Sequence, residues 1–237
     1  MVTRQMTRRL PSIAKPSLIE VAGVAGAGKS TLTRSVCEVP GFELGGFIHT
    51  RLPSHLLQVL LATPRLLPIL VGDRWQPPRM TWAEFKLMVY VTRWRSVLRR
   101  EKRRNGGITV LDQGPIYALV RLKAEGKPFT TTGAFARWWD AMLRRWARDL
   151  DVVVWLDAPD EVLRARIDGR PQHHKEKGRE ADQAQRFFAR YRLSFEGALS
   201  TMEALGTPEV LRFDTERTTT AQLTNSVKPL LVGHARS

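Results

Sequence analysis

Short apolar runs alternate with longer amphipathic stretches along most of the chain, and the two patterns predict strands and helices in turn. Residues 17–22 read as a first strand running into a glycine-rich turn, with a helix over about 29–38. Residues 42–49 read as a second strand. Residues 53–71 are apolar and helical in pattern, but Pro64 and Pro68 predict a broken stretch. A loop follows over 72–79. Thr81, with Glu84 three residues on, has the form of a capping box and opens a long helix to about Arg104. Asn105-Gly106-Gly107 ends it. Residues 108–111 predict a short buried strand, and 115–125 a helix. In 132–150 the residues Phe135, Trp138, Trp139, Met142, Leu143 and Trp146 recur near 3.6 spacing, a clear helical stripe. A buried strand over 152–156 precedes a helix that Pro159 opens at its first turn and that runs to about Asp168. A basic, polar loop (169–179), a long helix (181–205), a strand (210–213) and a last helix from about Thr218 complete the pattern.

Strands alternating with helices imply a three-layer α/β/α fold around a mainly parallel sheet. No internal repeat and no low-complexity linker divides the 237 residues. The expectation is a loose basic arm over 1–16 and a single domain over 17–237. Apolar residues make up 43% of the chain, which excludes wholesale disorder. One cysteine, Cys37, cannot make an internal disulfide or a cysteine metal site, so a cytoplasmic location is expected. The apolar region 56–71 is cut by Arg65 and two prolines, too soon for a membrane span. The basic N-terminus lacks the apolar core of a signal peptide.

The net charge of +15 allows two readings. One is a polyanion partner such as nucleic acid or an acidic membrane surface; the other is a basic cleft for a phosphorylated substrate in an arginine-rich chain. The charge is spread, apart from the dense run Arg99–Arg104, and no recognisable RNA- or DNA-binding module appears. A nucleic-acid partner is therefore not the expectation.

The sharpest chemical signal is Gly23-Val24-Ala25-Gly26-Ala27-Gly28-Lys29-Ser30, followed by Thr31. It satisfies G-x-x-x-x-G-K-[ST] in full, between a predicted strand and a predicted helix. Glycines let backbone N–H groups turn inward around phosphate oxygens, and the helix start adds free donors and a positive dipole end. Lys29 is suited to reach the β- and γ-phosphates and Ser30 to ligate Mg²⁺. A second carboxylate is needed near that metal. Asp112, at the end of a buried strand, is the favoured candidate. Asp157 ends an equally strand-like run but is followed by Ala158-Pro159-Asp160-Glu161, the pattern of a helix start.

These features resemble thymidylate kinase and its relatives, the P-loop nucleoside and nucleoside-monophosphate kinases, over about residues 17–232. Thr50-Arg51-Leu52-Pro53 is similar to that family's T-R-E-P segment. Leu111-Asp112-Gln113 stands where the family has its D-R pair. The passage from Leu156-Asp157 to Arg166 is similar to its L-D-x-x-P-E strand-to-helix passage, and Arg186–Tyr191 resembles the helix after its lid. The resemblance implies a five-stranded parallel sheet, ATP and Mg²⁺, a helical acceptor side over about 51–105, and a basic lid over about 169–180 that supplies arginines. It also implies dimers as a common assembly. Leu52 replaces the family's acid and Gln113 its arginine, both on the acceptor side. A nucleotide, a nucleoside or another small alcohol is thus left open as acceptor.

The residues that follow from this reading fall into three groups. Lys29 and Asp112 are the catalytic candidates, joined by lid-side Arg166 and Arg170, which share a helix face at i and i+4. Arg166 is also a candidate to lie on the adenine ring. Ser30 and Asp112 are the metal candidates. Arg51, Arg93, Gln113 and Tyr117 are the acceptor candidates. Arg93 and Arg95 lie on different faces of one helix, so at most one points into the site. Adjacent His173 and His174 have no partner at zinc spacing, and Trp75 is either a base-stacking residue or a loop anchor. Two other readings stand beside the nucleotide kinase: a kinase of a non-nucleoside alcohol, and a nucleic-acid-binding P-loop ATPase.

Overall fold

A computed structural model describes residues 18–45, 52–71, 80–105, 108–125, 127–169 and 180–227. Five strands, β1 (Leu18–Gly23), β2 (Phe42–Gly45), β3 (Ile108–Asp112), β4 (Val152–Asp157) and β5 (Glu209–Asp214), form one sheet in the order β2-β3-β1-β4-β5. Every neighbouring pair is parallel. All of β1 and all but the last residue of β4 are buried. Strands covered by helices on both faces read as continuous apolar runs, which is why the pattern was legible. The strand order reverses about β1, so the loop after β1 sits at the carboxyl-end crevice where open parallel sheets bind ligands.

The helices are α1 (Lys29–Cys37), α2 (Leu52–Val71), α3 (Trp82–Asn105), α4 (Pro115–Ala124), α5 (Gly133–Asp149), α6 (Asp160–Asp168), α7 (Ala181–Leu205) and α8 (Thr220–Val227). The capping box at the head of α3 is formed: Thr81 N donates to Glu84 Oε2 at 2.7 Å and Glu84 N to Thr81 Oγ1 at 3.3 Å. The six apolar residues of the α5 stripe are all buried. Its three indoles use their N–H inside the core, Trp139 on Leu119 O and Trp146 on Val91 O, each at 3.0 Å, and Trp138 on Thr92 Oγ1 at 3.4 Å. These bonds satisfy the polar end of large side chains that otherwise supply apolar area.

One expectation is corrected. Pro64 and Pro68 do not break the apolar stretch but lie inside a single 20-residue helix. Both prolines are on its exposed face, so the carbonyls that lose an N–H partner lie on the solvent side. The inner face, Ala62, Leu66 and Ile69, is buried, and α2 packs on α3 and α5. Leu57, Leu60, Leu61 and Leu67 point outward. Among the described residues no helix is long and apolar enough to cross a membrane. The arm 1–16, residues 46–51, Trp75, and the lid residues 170–179 with His173 and His174 lie outside the described residues.

Candidate phosphoryl-transfer site

The phosphate loop joins β1 to α1. Gly26 holds φ 87 and sits so close to α6 that a Cβ would lie 2.7 Å from Leu163 O. Gly28, at φ 88, caps α1 without a side-chain hydrogen bond. Gly28 brings no side-chain acceptor to the start of α1, the arrangement that suits an anion. Lys29 is buried at 7% exposure, and its Nζ donates to Val24 O at 2.8 Å. The same ammonium lies 5.5 Å from the ring centroid of Tyr117.

Asp112 reaches this loop because β3 is the neighbour of β1, with Val21 opposite Asp112. Ser30 Oγ donates to Asp112 Oδ2 at 2.7 Å. Asp112 Oδ1 is buried and has no hydrogen-bond partner among the described residues. A hydroxyl and a carboxylate with one uncommitted oxygen form a donor set that fits Mg²⁺. Among the described residues no cluster of three or more His, Cys, Asp or Glu side chains could hold a metal. A cation here would therefore keep most of its ligands from water and phosphate, as Mg²⁺ does.

Asp157 is engaged differently. Its Oδ1 accepts from Ala158 N at 2.9 Å, and Arg192 of α7 pairs with its Oδ2 at 2.7 Å. Arg192 also donates to Ala158 O and pairs with Asp160. Sequence reasoning passed over Arg192, which meets its partners only through the packing of α7 on α6.

Arg166 donates through Nη1 to Thr215 Oγ1 at 2.8 Å and through Nη2 to Thr215 O at 2.9 Å. With Gly26, Gly28, Thr31, Thr215 and Thr219 it lines a cavity of about 420 Å³ beside the phosphate loop. Arg164 points away, exposed and 3.8 Å from Asp168. Arg170 and Arg51 lie outside the described residues.

On the other flank, Arg93 donates to Gln58 of α2 at 3.1 Å, while Arg95 pairs with Asp149 at the end of α5. The two arginines do leave α3 by different faces, each toward another helix. Gln113 has a left-handed backbone, φ 58. Tyr117 follows on α4; burial pushes its phenol above the ordinary value, with Arg121 pulling down. Arg121, one turn on, lines a second cavity of about 520 Å³ between α3 and α4, with Lys86, Tyr90, Glu125 and Lys127.

One residue here was missed entirely. Glu20, in the middle of β1, is fully buried. Its carboxylate accepts from Ile116 N at 3.0 Å and Tyr117 N at 2.8 Å. Burial raises its pKa to about 8, against the pull of those two N–H groups and with a further push from Asp112. Its partners lie 96 and 97 residues away along the chain. The only signal in the sequence was a lone acid inside an apolar strand.

A family model described as an AAA domain matches residues 18–196, and the chain belongs to this family of P-loop proteins. Among solved structures, the thymidylate kinase from Candida albicans superposes with a TM-score of 0.56 at 16% identity, covering 93% of each chain. The deoxyadenosine kinase from M. mycoides with bound dCTP superposes with a TM-score of 0.52 at 14% identity, covering 90% of this chain and 98% of that one. At such identities the likeness is one of fold, and it bears out the five-stranded parallel kinase-like fold. No curated protein matches the sequence.

Proposed function

We propose that the protein is an ATP- and Mg²⁺-dependent phosphotransferase that moves the γ-phosphoryl group to a small acceptor, a nucleotide or a nucleoside. The observation that carries this reading is the bond between Ser30 Oγ and Asp112 Oδ2 at the mouth of a phosphate loop, within a nucleotide-kinase fold. The backbone N–H groups of the loop and of the first turn of α1 bind phosphate oxygens. Lys29 exchanges its bond to Val24 O for the β- and γ-phosphate oxygens. Ser30 and Asp112 would hold Mg²⁺, which would supply positive charge to offset that of the phosphates. Arg166, fixed by Thr215, borders the cavity that takes the base of the donor. Tyr117, 5.5 Å from the Lys29 ammonium, begins the acceptor side.

A phosphate acceptor is already a nucleophile. A hydroxyl acceptor needs a carboxylate to take its proton, and Asp112 is the candidate for that second role. Gln113, where the resembling family carries an arginine, favours as a second reading an acceptor without a phosphate, such as a sugar or an amino alcohol.

The test is ADP formation from ATP and Mg²⁺ with nucleoside monophosphates, nucleosides, sugars and amino alcohols. Acceptor-dependent turnover is expected, and Lys29→Ala and Asp112→Asn should each lower it by about 10²–10³. Turnover only on a sugar or amino alcohol moves the acceptor to the second reading. ATP binding without turnover on any acceptor overturns the kinase reading.

A further inference from the structure

The start of α4 is capped from another strand. Pro115, its first residue, has no N–H to satisfy, and Gly114 at the N-cap offers no side-chain acceptor. The next two N–H groups, of Ile116 and Tyr117, each bond one oxygen of Glu20. The fourth, of Ala118, already bonds Gly114 O at 3.0 Å. Every donor of the first turn is thus accounted for, two of them by a carboxylate that belongs to β1.

The fit is close. A Cβ on Gly114 would lie 2.6 Å from both Cδ and Oε2 of Glu20, so any side chain there would push the carboxylate off its two N–H donors. Between Gly114 and the strand stands Gln113, the non-glycine residue with positive φ among those described. The corner 112–114 is therefore fastened at both ends to β1: by the β1–β3 ladder at Asp112, and by Glu20 beyond Gly114. That same strand runs directly into the phosphate loop.

We infer that Glu20 is a positioning residue, which fixes Asp112 and Tyr117 relative to the phosphate loop so that Asp112 meets the metal beside Ser30. This rests on the phosphotransferase reading. Glu20 touches neither nucleotide nor metal; it acts through the two backbone N–H groups it holds. An amide in its place keeps one acceptor and sets an NH₂ group against the other N–H, so Glu20→Gln frees one end of the corner without changing size.

The measurement, made above about pH 8 where Glu20 is the ionised carboxylate, is the affinity for a fluorescent ADP analogue, with Mg²⁺ and with EDTA, for the full chain and the variants Glu20→Gln and Glu20→Asp. Wild type should bind more tightly with Mg²⁺. Glu20→Gln should keep its EDTA affinity, which the loop alone supplies, while losing about tenfold or more of the Mg²⁺ enhancement, the scale found for residues that orient metal ligands. Glu20→Asp should fall between the two, and it carries the test if Glu20→Gln does not fold by circular dichroism. Equal enhancement in wild type and variants overturns the inference alone. So does a parallel loss of affinity with and without Mg²⁺, which a merely structural role would give. Absence of Mg²⁺ enhancement in wild type overturns the phosphotransferase reading and this inference with it.

Discussion

Glu20 holds a proton in the native protein at pH values where an exposed glutamate has lost its own. Its ordinary pKa is 4.5 and its folded value about 8. Between those limits the folded state binds a proton that the unfolded chain has released, so the stability linked to Glu20 falls as pH rises from about 4.5 to about 8 and then levels off. Urea unfolding near pH 5 and near pH 8 should show this loss in wild type, and Glu20→Gln should show less of it. This residue also marks what a sequence reading cannot reach. Asp112 could be named because a buried run ending in an acid is a local pattern. Strand order does not separate it from Asp157, since β3 and β4 both flank β1; what separates them is that Asp112 accepts from Ser30 while Asp157 pairs with Arg192. Glu20 could not be assigned at all, because its partners enter through the β1–β3 pairing rather than through spacing.

At the level of elements, the strands and the cores of the helices were legible because burial on both faces of a sheet and on one stripe of a helix leaves direct traces in the sequence. The phosphate loop was legible for a similar reason: all its residues are contiguous. Helix α2 was only partly so. Proline inside a helix costs about 3 kcal/mol in an unsupported context, and that rule predicted a break. Here the buried row Ala62, Leu66 and Ile69 holds the helix through both prolines. Replacing Pro64 by alanine should therefore restore a hydrogen bond without disturbing packing. The expected result is a gain of about 1 kcal/mol or more in urea unfolding, since the ring costs a solvent-side bond here rather than forming a needed turn. A loss of stability would show that the ring itself packs against something essential.

Across the whole molecule, an excess of 15 positive charges must be held together by the apolar core. Several arginines are already matched, as with Arg192 between Asp157 and Asp160 and Arg212 between Glu196 and Glu203. Four more, Arg95, Arg144, Arg145 and Arg148, line one cavity between α3 and α5, where Arg95 pairs with Asp149 and Arg144 with Asp140. Self-repulsion from the remaining excess lowers stability at low ionic strength and is screened over about 8 Å at physiological salt. The melting temperature should consequently rise between about 0.02 and about 0.3 M sodium chloride, with the steepest change at the low end. A fall over that range would mean that attractive pairs outweigh the excess charge.

The contact between Glu20 and Gly114 also constrains how this sequence can drift over generations. A side chain at position 114 would displace the carboxylate at 20, and a smaller residue at 20 leaves two helix-start N–H groups without that acceptor. Either change alone is penalised; the pair together is tolerable only if the new residue at 114 takes over the capping, as a serine or aspartate can. In descendants and cousins of this chain, positions 20 and 114 should therefore exchange identities together, and a lineage showing serine or aspartate at 114 should have given up the acid in its first strand.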